Sequence, residues 1–240
     1  MGNYWYIAII VTIAYLGESL FGFGAGLIAV PLLSILLGVK ETVLFLILFQ
    51  FLTGLLIIGS YRHIPWKIIF PMTITMILGT VIGTFILTGL NNSVLKIILA
   101  LSISAFLLKS IIVKKPKSPD INSKFWGMLL GFIGGLLQGI LGMGGPPLTM
   151  YLITAVPRKE QFRAGLIFLF FISCLIRIFL LTQNGLLDFN QIKSSLPFLP
   201  FFLISLAAGH FLHMKIDEKY YRYAVYIILF ISTITLLFKR

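Results

Sequence analysis

The sequence predicts an all-α polytopic membrane protein made of two homologous halves arranged as an inverted repeat, each half a glycine-broken, re-entrant helix pair followed by three transmembrane helices. Three observations carry this expectation. The 240 residues are 59% hydrophobic and only 11% charged, with a mean hydropathy of +1.04, whereas soluble domains carry roughly 25% charged residues. Apolar runs recur near the roughly 20 residues that cross a bilayer as helix. Two glycine-rich breaks, GFGAG at 22–26 and GMGGPP at 142–147, interrupt apolar stretches in corresponding places. Helices rather than a barrel follow, because lipid requires internally satisfied backbone bonds and alternating segments of about ten residues are absent.

Taken in order, the N-terminal MGNYWYIAII lacks the positive region of a signal peptide, and no A-x-A-like site follows it, so it is expected to begin the first membrane element. The stretch from Tyr4 to Leu37 would be about 50 Å long as one helix, more than a core of about 30 Å accommodates without strong tilt. Broken at GFGAG it becomes two half-helices, the second starting near Gly26. Spans are expected at 42–60, 68–90 and 94–113. Residues 114–123 are polar, with prolines and lysines, and read as a cytoplasmic linker between a first repeat, 1–113, and a second, 124–240. In the second repeat a half-helix is expected to start near Pro146 or Pro147, since proline suits a first helical turn. Spans at 164–182, 196–212 and 220–238 follow.

The duplication is read from the residues themselves. A shift of 120 places FGFGAGLIAVP (21–31) on LGMGGPPLTMY (141–151) and Glu18 on Gln138. A shift of 126 places Pro71 on Pro197, Gly83 on Gly209, Leu90 on Ile216, Asn91 on Asp217 and Lys96 on Arg222. Positive charge then arbitrates topology. If both broken segments return to their starting side, the linker side collects Arg62, Lys67, Lys109, Lys114, Lys115, Lys117, Lys124, Arg158, Lys159, Arg163, Lys215, Lys219 and Arg222. Lys40, Lys96, Lys193, Lys239 and Arg240 fall on the other, and Arg177 lies within a span. If both segments cross, the bias nearly vanishes. Returning hairpins make an odd number of crossings per half, so the second half is inverted, an architecture shared with many secondary transporters.

Several function classes are set aside. The basic residues sit at span ends, where they set topology, so the net charge of +12 does not point to nucleic acid. The single cysteine, Cys174, lies in a span and offers neither an intrachain disulfide nor a cysteine metal cluster. His63, His210 and His213 show no metal-ligand spacing, no cofactor motif is present, and the seven acids and three histidines form no catalytic constellation. Without a nucleotide-binding motif, an ion gradient or a separate subunit must supply energy. Tyr4, Trp5, Tyr6, Tyr61, Trp66, Trp126, Tyr220 and Tyr221 read as interfacial anchors.

The breaks are the candidate site. Each half-helix presents N–H groups without intrahelical partners and a dipole end worth roughly half a positive charge. Two such ends across a pseudo-twofold axis would hold a small anion near the membrane midplane on Gly22, Phe23, Gly24, Ala25 and Gly26 and on Gly142, Met143, Gly144, Gly145 and Pro146. The bland alternative is close helix packing: Gly22 and Gly26 form a GxxxG pair, and Gly127, Gly131, Gly135 and Gly139 form a ridge at spacing four.

GFGAGLIAVPLL, GMGGPPLTMYL and the YRHIPW after the next span resemble the sulfite exporter TauE/SafE family, also called the 4-toluene sulfonate uptake permeases. The resemblance covers nearly the whole chain. It implies a duplicated membrane protein that moves sulfite, sulfonates or related sulfur anions, with Gly22, Gly24 and Gly26 and Gly142, Gly144 and Gly145 matching the paired glycine signatures. Where the first half has Pro31 the second has Tyr151.

Polar residues inside spans complete the candidates. Glu18, one turn before Gly22, either carries a coupling proton or makes a structural hydrogen bond or ion pair, and Gln138 keeps its shape without charge. Arg177, about 9 Å from the span end at Gln183, either snorkels to the interface or faces substrate or Glu18. Gln50 and Thr53 line a pathway or satisfy helix contacts. The expected function is a secondary transporter of small sulfur-containing anions in the cell membrane, with the lipid bilayer, the anion and a coupling proton or other ion as partners. A passive anion channel and a permease for another organic anion remain the alternatives.

Overall fold

The computed structural model describes residues 2–21, 24–56, 62–112, 124–156 and 158–212. Within them the chain is all-helical, consistent with a polytopic membrane protein: α1 (Gly2–Phe21), α2 (Ala25–Leu37), α3 (Val39–Leu56), α4 (Trp66–Gly89), α5 (Asn92–Ile112), α6 (Lys124–Leu141), α7 (Gly145–Ala155), α8 (Lys159–Gln183), α9 (Phe189–Ser195) and α10 (Leu199–Leu212). Four stretches are long and apolar enough to cross a membrane: Trp66–Gly89, Lys124–Leu141, Glu160–Gln183 and Phe189–Gly209. The last of these is not the plain span expected over 196–212. It is assembled from α9, a 3-10 turn over Leu196–Phe198 and α10, because Pro197 cannot donate the bond that would continue one helix through it. The linker 114–123, the span expected at 220–238, Gly22, Phe23, Tyr61, Tyr220 and Tyr221 lie outside the described residues.

The chain divides into two compact units, and each draws helices from both halves of the sequence. One comprises residues 44–90 and 117–195, the other residues 1–43, 91–116 and 196–240.

The first of these units is organised around α4. One face of α4 carries Trp66, Phe70, Ile74, Leu78, Ile82 and Phe85, all exposed, an apolar stripe at helical spacing of the kind that suits lipid tails. The other face buries Met72, Met76, Gly79, Thr80, Gly83, Thr84 and Leu87. It is small because backbone packs on backbone there: side chains added at Gly79 or Gly83 would run into Phe132 O or Leu136 O, and one at Gly135 into Met76 O. A Cβ at Gly139 would stand 2.8 Å from Gly83 Cα, and one at Gly131 2.7 Å from Thr75 Oγ1. Partner numbers rise together along the two helices, so α4 and α6 run parallel. The ridge from Gly131 to Gly139 is thus the seam with α4, while Gly127 instead faces Tyr151, whose hydroxyl would be 2.9 Å from an added Cβ.

Helix α8 has the same direction as α4. Trp66 meets Phe168 edge-on at 5.1 Å between centroids, a Cβ at Gly165 would stand 2.7 Å from Ile69 Cδ1, and farther along Thr80 Oγ1 bonds Ser173 Oγ at 2.9 Å. Helix α7 runs the other way, back along α6: Gly144 meets Gln138 and Gly134, Leu148 meets Gly134, and Tyr151 meets Gly127. With α4, α6 and α8 parallel, residues 124–155 leave one end of this unit and come back to it.

In the other unit α1 and α10 run parallel. The Tyr4 hydroxyl donates to Pro197 O at 3.1 Å and its ring stacks on Phe198 at 4.8 Å. Tyr15 then meets Phe202, and Ser19 Oγ donates to Leu206 O at 2.9 Å. A Cβ at Gly209 would stand 2.6 Å from Ser19 Oγ. The sequence offsets pair Gly83 with Gly209 and Gly139 with Ser19, and each unit has a small-residue contact at these positions, Gly139 against Gly83 in one and Gly209 against Ser19 in the other. Helix α4 of the first half is seated on α6 of the second, and α10 of the second on α1 of the first.

Candidate functional site at the second helix break

Helix α6 ends because Gly142 turns left-handed, at φ 70°, a conformation open to glycine at little cost. Its N–H closes the last turn on Gln138 O at 2.9 Å, an αL-type cap. Helix α7 then starts at Gly145 with Gly144 as its N-cap, earlier than the expected start at Pro146 or Pro147, because Gly145 already takes helical geometry and leaves the prolines inside the first turn. The break is fully inside the protein: Gly142, Met143, Gly144 and Gly145 are buried, and Pro146 is half-buried.

Buried backbone groups at a break need partners, and two glutamines supply them. Gly144 N–H donates to Gln138 Oε1 at 2.7 Å, and Gln50 Nε2 donates to Gly142 O at 3.4 Å. The amides also meet, Gln138 Nε2 donating to Gln50 Oε1 at 3.5 Å. Arg177 Nη1 donates to that same oxygen at 2.9 Å. A Cβ on Gly142 would stand 3.6 and 3.7 Å from Arg177 Nη1 and Nη2, so the break lies directly against the guanidinium. Three helices from widely separated parts of the chain, α3, α6 and α8, therefore converge here.

Positive charge at this site comes mainly from the side chain. Of the four N–H positions that open α7, Pro146 and Pro147 have none and Gly144 is engaged by Gln138. Gly145 is the remaining position, at the dipole end of α7. Arg177 has 0% of its surface exposed, and a guanidinium so placed attracts an anion far more strongly than it would in water.

The structure sorts the remaining candidates. Gln138, Gln50 and Arg177 come together with Gly142 and Gly144. Thr53 does not join them, its hydroxyl donating to Phe49 O at 2.9 Å within its own helix. Arg177 does not snorkel: although the interface is within reach by length, its hydrogen bond with Gln50 holds the head group inside. At the first break Gly24 is left-handed, φ 115°, and caps α2, which starts at Ala25, one residue before the expected Gly26. Ala25 is buried and Gly26 half-buried. Glu18 lies half-buried on α1, three residues before its end. Gly22 and Phe23 lie outside the described residues. Sequence reasoning missed the buried Thr80–Ser173 pair, although Ser173 precedes Arg177 by four residues and so shares its helix face. Among the described residues no cluster of three His, Cys, Asp or Glu could hold a metal.

Comparison with known proteins adds to this geometry. The family model described as sulfite exporter TauE/SafE matches residues 7–236. A curated protein of Cupriavidus necator, the probable sulfite/organosulfonate exporter TauE, is 25% identical over 132 residues, covering 54% of this chain and 52% of that protein. The match thus spans about half the length of this curated relative. No solved structure matches the chain.

Proposed function

The chain belongs to the sulfite exporter TauE/SafE family, whose members are membrane transporters and not enzymes, and from that premise we propose that it carries small sulfur-containing oxyanions, sulfite or organosulfonates, across the cell membrane with its substrate held at the second helix break. The observation that carries this reading is the buried Arg177 set against Gly142. Arginine suits a small oxyanion because its planar fork matches two oxygens at once. Return of α7 along α6 supports a re-entrant hairpin, with irregular backbone at membrane depth allowed because protein surrounds it. Transport is secondary, by alternating access, and Glu18 on α1 is the candidate carrier of a coupling proton.

The test is ligand-induced thermal stabilisation of purified protein across sulfite, thiosulfate, methanesulfonate and small carboxylates, with counterflow in proteoliposomes to separate a carrier from a channel. Sulfite or a sulfonate should raise Tm in the wild type and leave Tm of folded Arg177→Gln unchanged. Equal stabilisation of that variant would remove the anion from this site.

A further inference from the structure

Resting on the reading that Arg177 receives the anion, we infer that Gln50 is the resting occupant of the anion's place on Arg177, and that exchange of Gln50 for substrate releases the α6–α7 break. Gln50 Oε1 stands 2.9 Å from Arg177 Nη1, the position an oxyanion oxygen takes on a guanidinium. The same amide grips the break through Gly142 O and accepts from Gln138 Nε2, while Gln138 holds Gly144 N–H on the far side. One uncharged side chain therefore does two things: it meets the Arg177 guanidinium, and it ties α3 to the end of α6 through Gly142 O and through Gln138, the residue that in turn holds the start of α7.

An amide oxygen is a weaker acceptor than an anionic oxygen. An entering sulfite or sulfonate wins the guanidinium, and Gln50 must swing away. Its departure removes the donor to Gly142 O and the acceptor for Gln138 Nε2 together. Substrate thereby acquires what a conformational change needs, a difference in interaction free energy between the clasped and released states. Full burial of Arg177 fits this order, since a cation with no exposed surface is reached only when the break moves. Gln50 is in this scheme a positioning residue, acting through Arg177 and the break.

Three variants of the full chain test it, each purified in detergent and read with sulfite and methanesulfonate for Tm, apparent Kd and proteoliposome uptake. Gln50→Glu keeps the shape and pins Arg177 with a charge: it should fold, match or exceed the wild-type Tm without ligand, and lose stabilisation by either anion. Gln50→Ala removes the competitor: Kd should fall by about tenfold, with KM lower and kcat reduced because the break no longer recloses. Arg177→Gln should bind neither anion. If Gln50→Glu responds to sulfite as the wild type does, or if folded Gln50→Ala binds no tighter, the exchange is wrong while the Arg177 site stands. If Arg177→Gln binds normally, the underlying site itself is wrong. Should Gln50→Ala fail to fold, the near-isosteric Gln50→Glu decides the matter.

Discussion

Two neighbouring glycines at the second break have opposite surroundings, and this separates packing from binding one residue at a time. A side chain at Gly144 would collide with Gly134 O and stand 2.8 Å from Gln138 Cβ, so Gly144→Val should reduce the yield of folded protein whatever the ligand does. At Gly142 the nearest atoms to an added Cβ are Gln50 Nε2 and the two Arg177 Nη atoms, at 3.5 to 3.7 Å, which is ordinary contact. Gly142→Ala should cost about 1–2 kcal/mol through its left-handed backbone and place a methyl where an oxyanion approaches Arg177. We expect folded protein with weakened sulfite stabilisation, measured by thermal shift in detergent; undiminished stabilisation would place the anion elsewhere. Glu18→Gln is the matching change at the first break, and should leave uptake intact while removing its dependence on an imposed proton gradient. Persistent dependence would assign Glu18 to structure alone. The residues of the site were visible in the sequence as polar groups in apolar spans and as a repeated glycine pattern. Their convergence was not, because Gln50, Gln138 and Arg177 are each 39 or more positions apart and periodicity carries no information about which helix faces which.

At the level of elements, glycine spacing separates the seam from the break. Gly131, Gly135 and Gly139 at spacing four put backbone against backbone on α4, the arrangement by which helices associate in lipid without a hydrophobic driving force. Gly135→Val would thrust a branched side chain against Met76 O. It should lower Tm sharply while any folded fraction keeps wild-type sulfite affinity, a result read by combining thermal unfolding with binding; loss of affinity without loss of Tm would tie the ridge to the site. The helices themselves followed from hydropathy, since the described parts of the runs at 42–60, 68–90, 94–113 and 164–182 are each a single helix. Their ends did not: α8 starts at Lys159, before the apolar run at 164, because basic and polar residues extend a helix readily beyond its apolar stretch. The 3-10 turn at Leu196–Phe198 was legible only as Pro197 and its consequence for backbone bonding.

For the whole molecule the decisive feature is that neither compact unit is made from one half of the sequence. A chain severed within 114–123 should therefore yield two fragments that are unstable alone and copurify when made together, because α4 in one needs α6 in the other and α1 needs α10. Independent folding of either fragment would contradict this. Sidedness is open to single-cysteine labelling in a Cys174→Ser background: cysteines at Lys40 and at Arg158 should react from opposite faces of the membrane, and reaction from one face would exclude returning hairpins.

The pairing of α1 with α10 also sets a timetable for biosynthesis. Ser19 and its acceptor Leu206 are 187 residues apart, and at about 5–20 residues per second the ribosome needs on the order of 10–40 s to make that interval. Through that time α1 has its small face without the partner that finally covers it. The nascent chain must spend this period shielded by lipid, by its own α2 or by the insertion machinery, and the unit containing α1 can close only once α10 has been made.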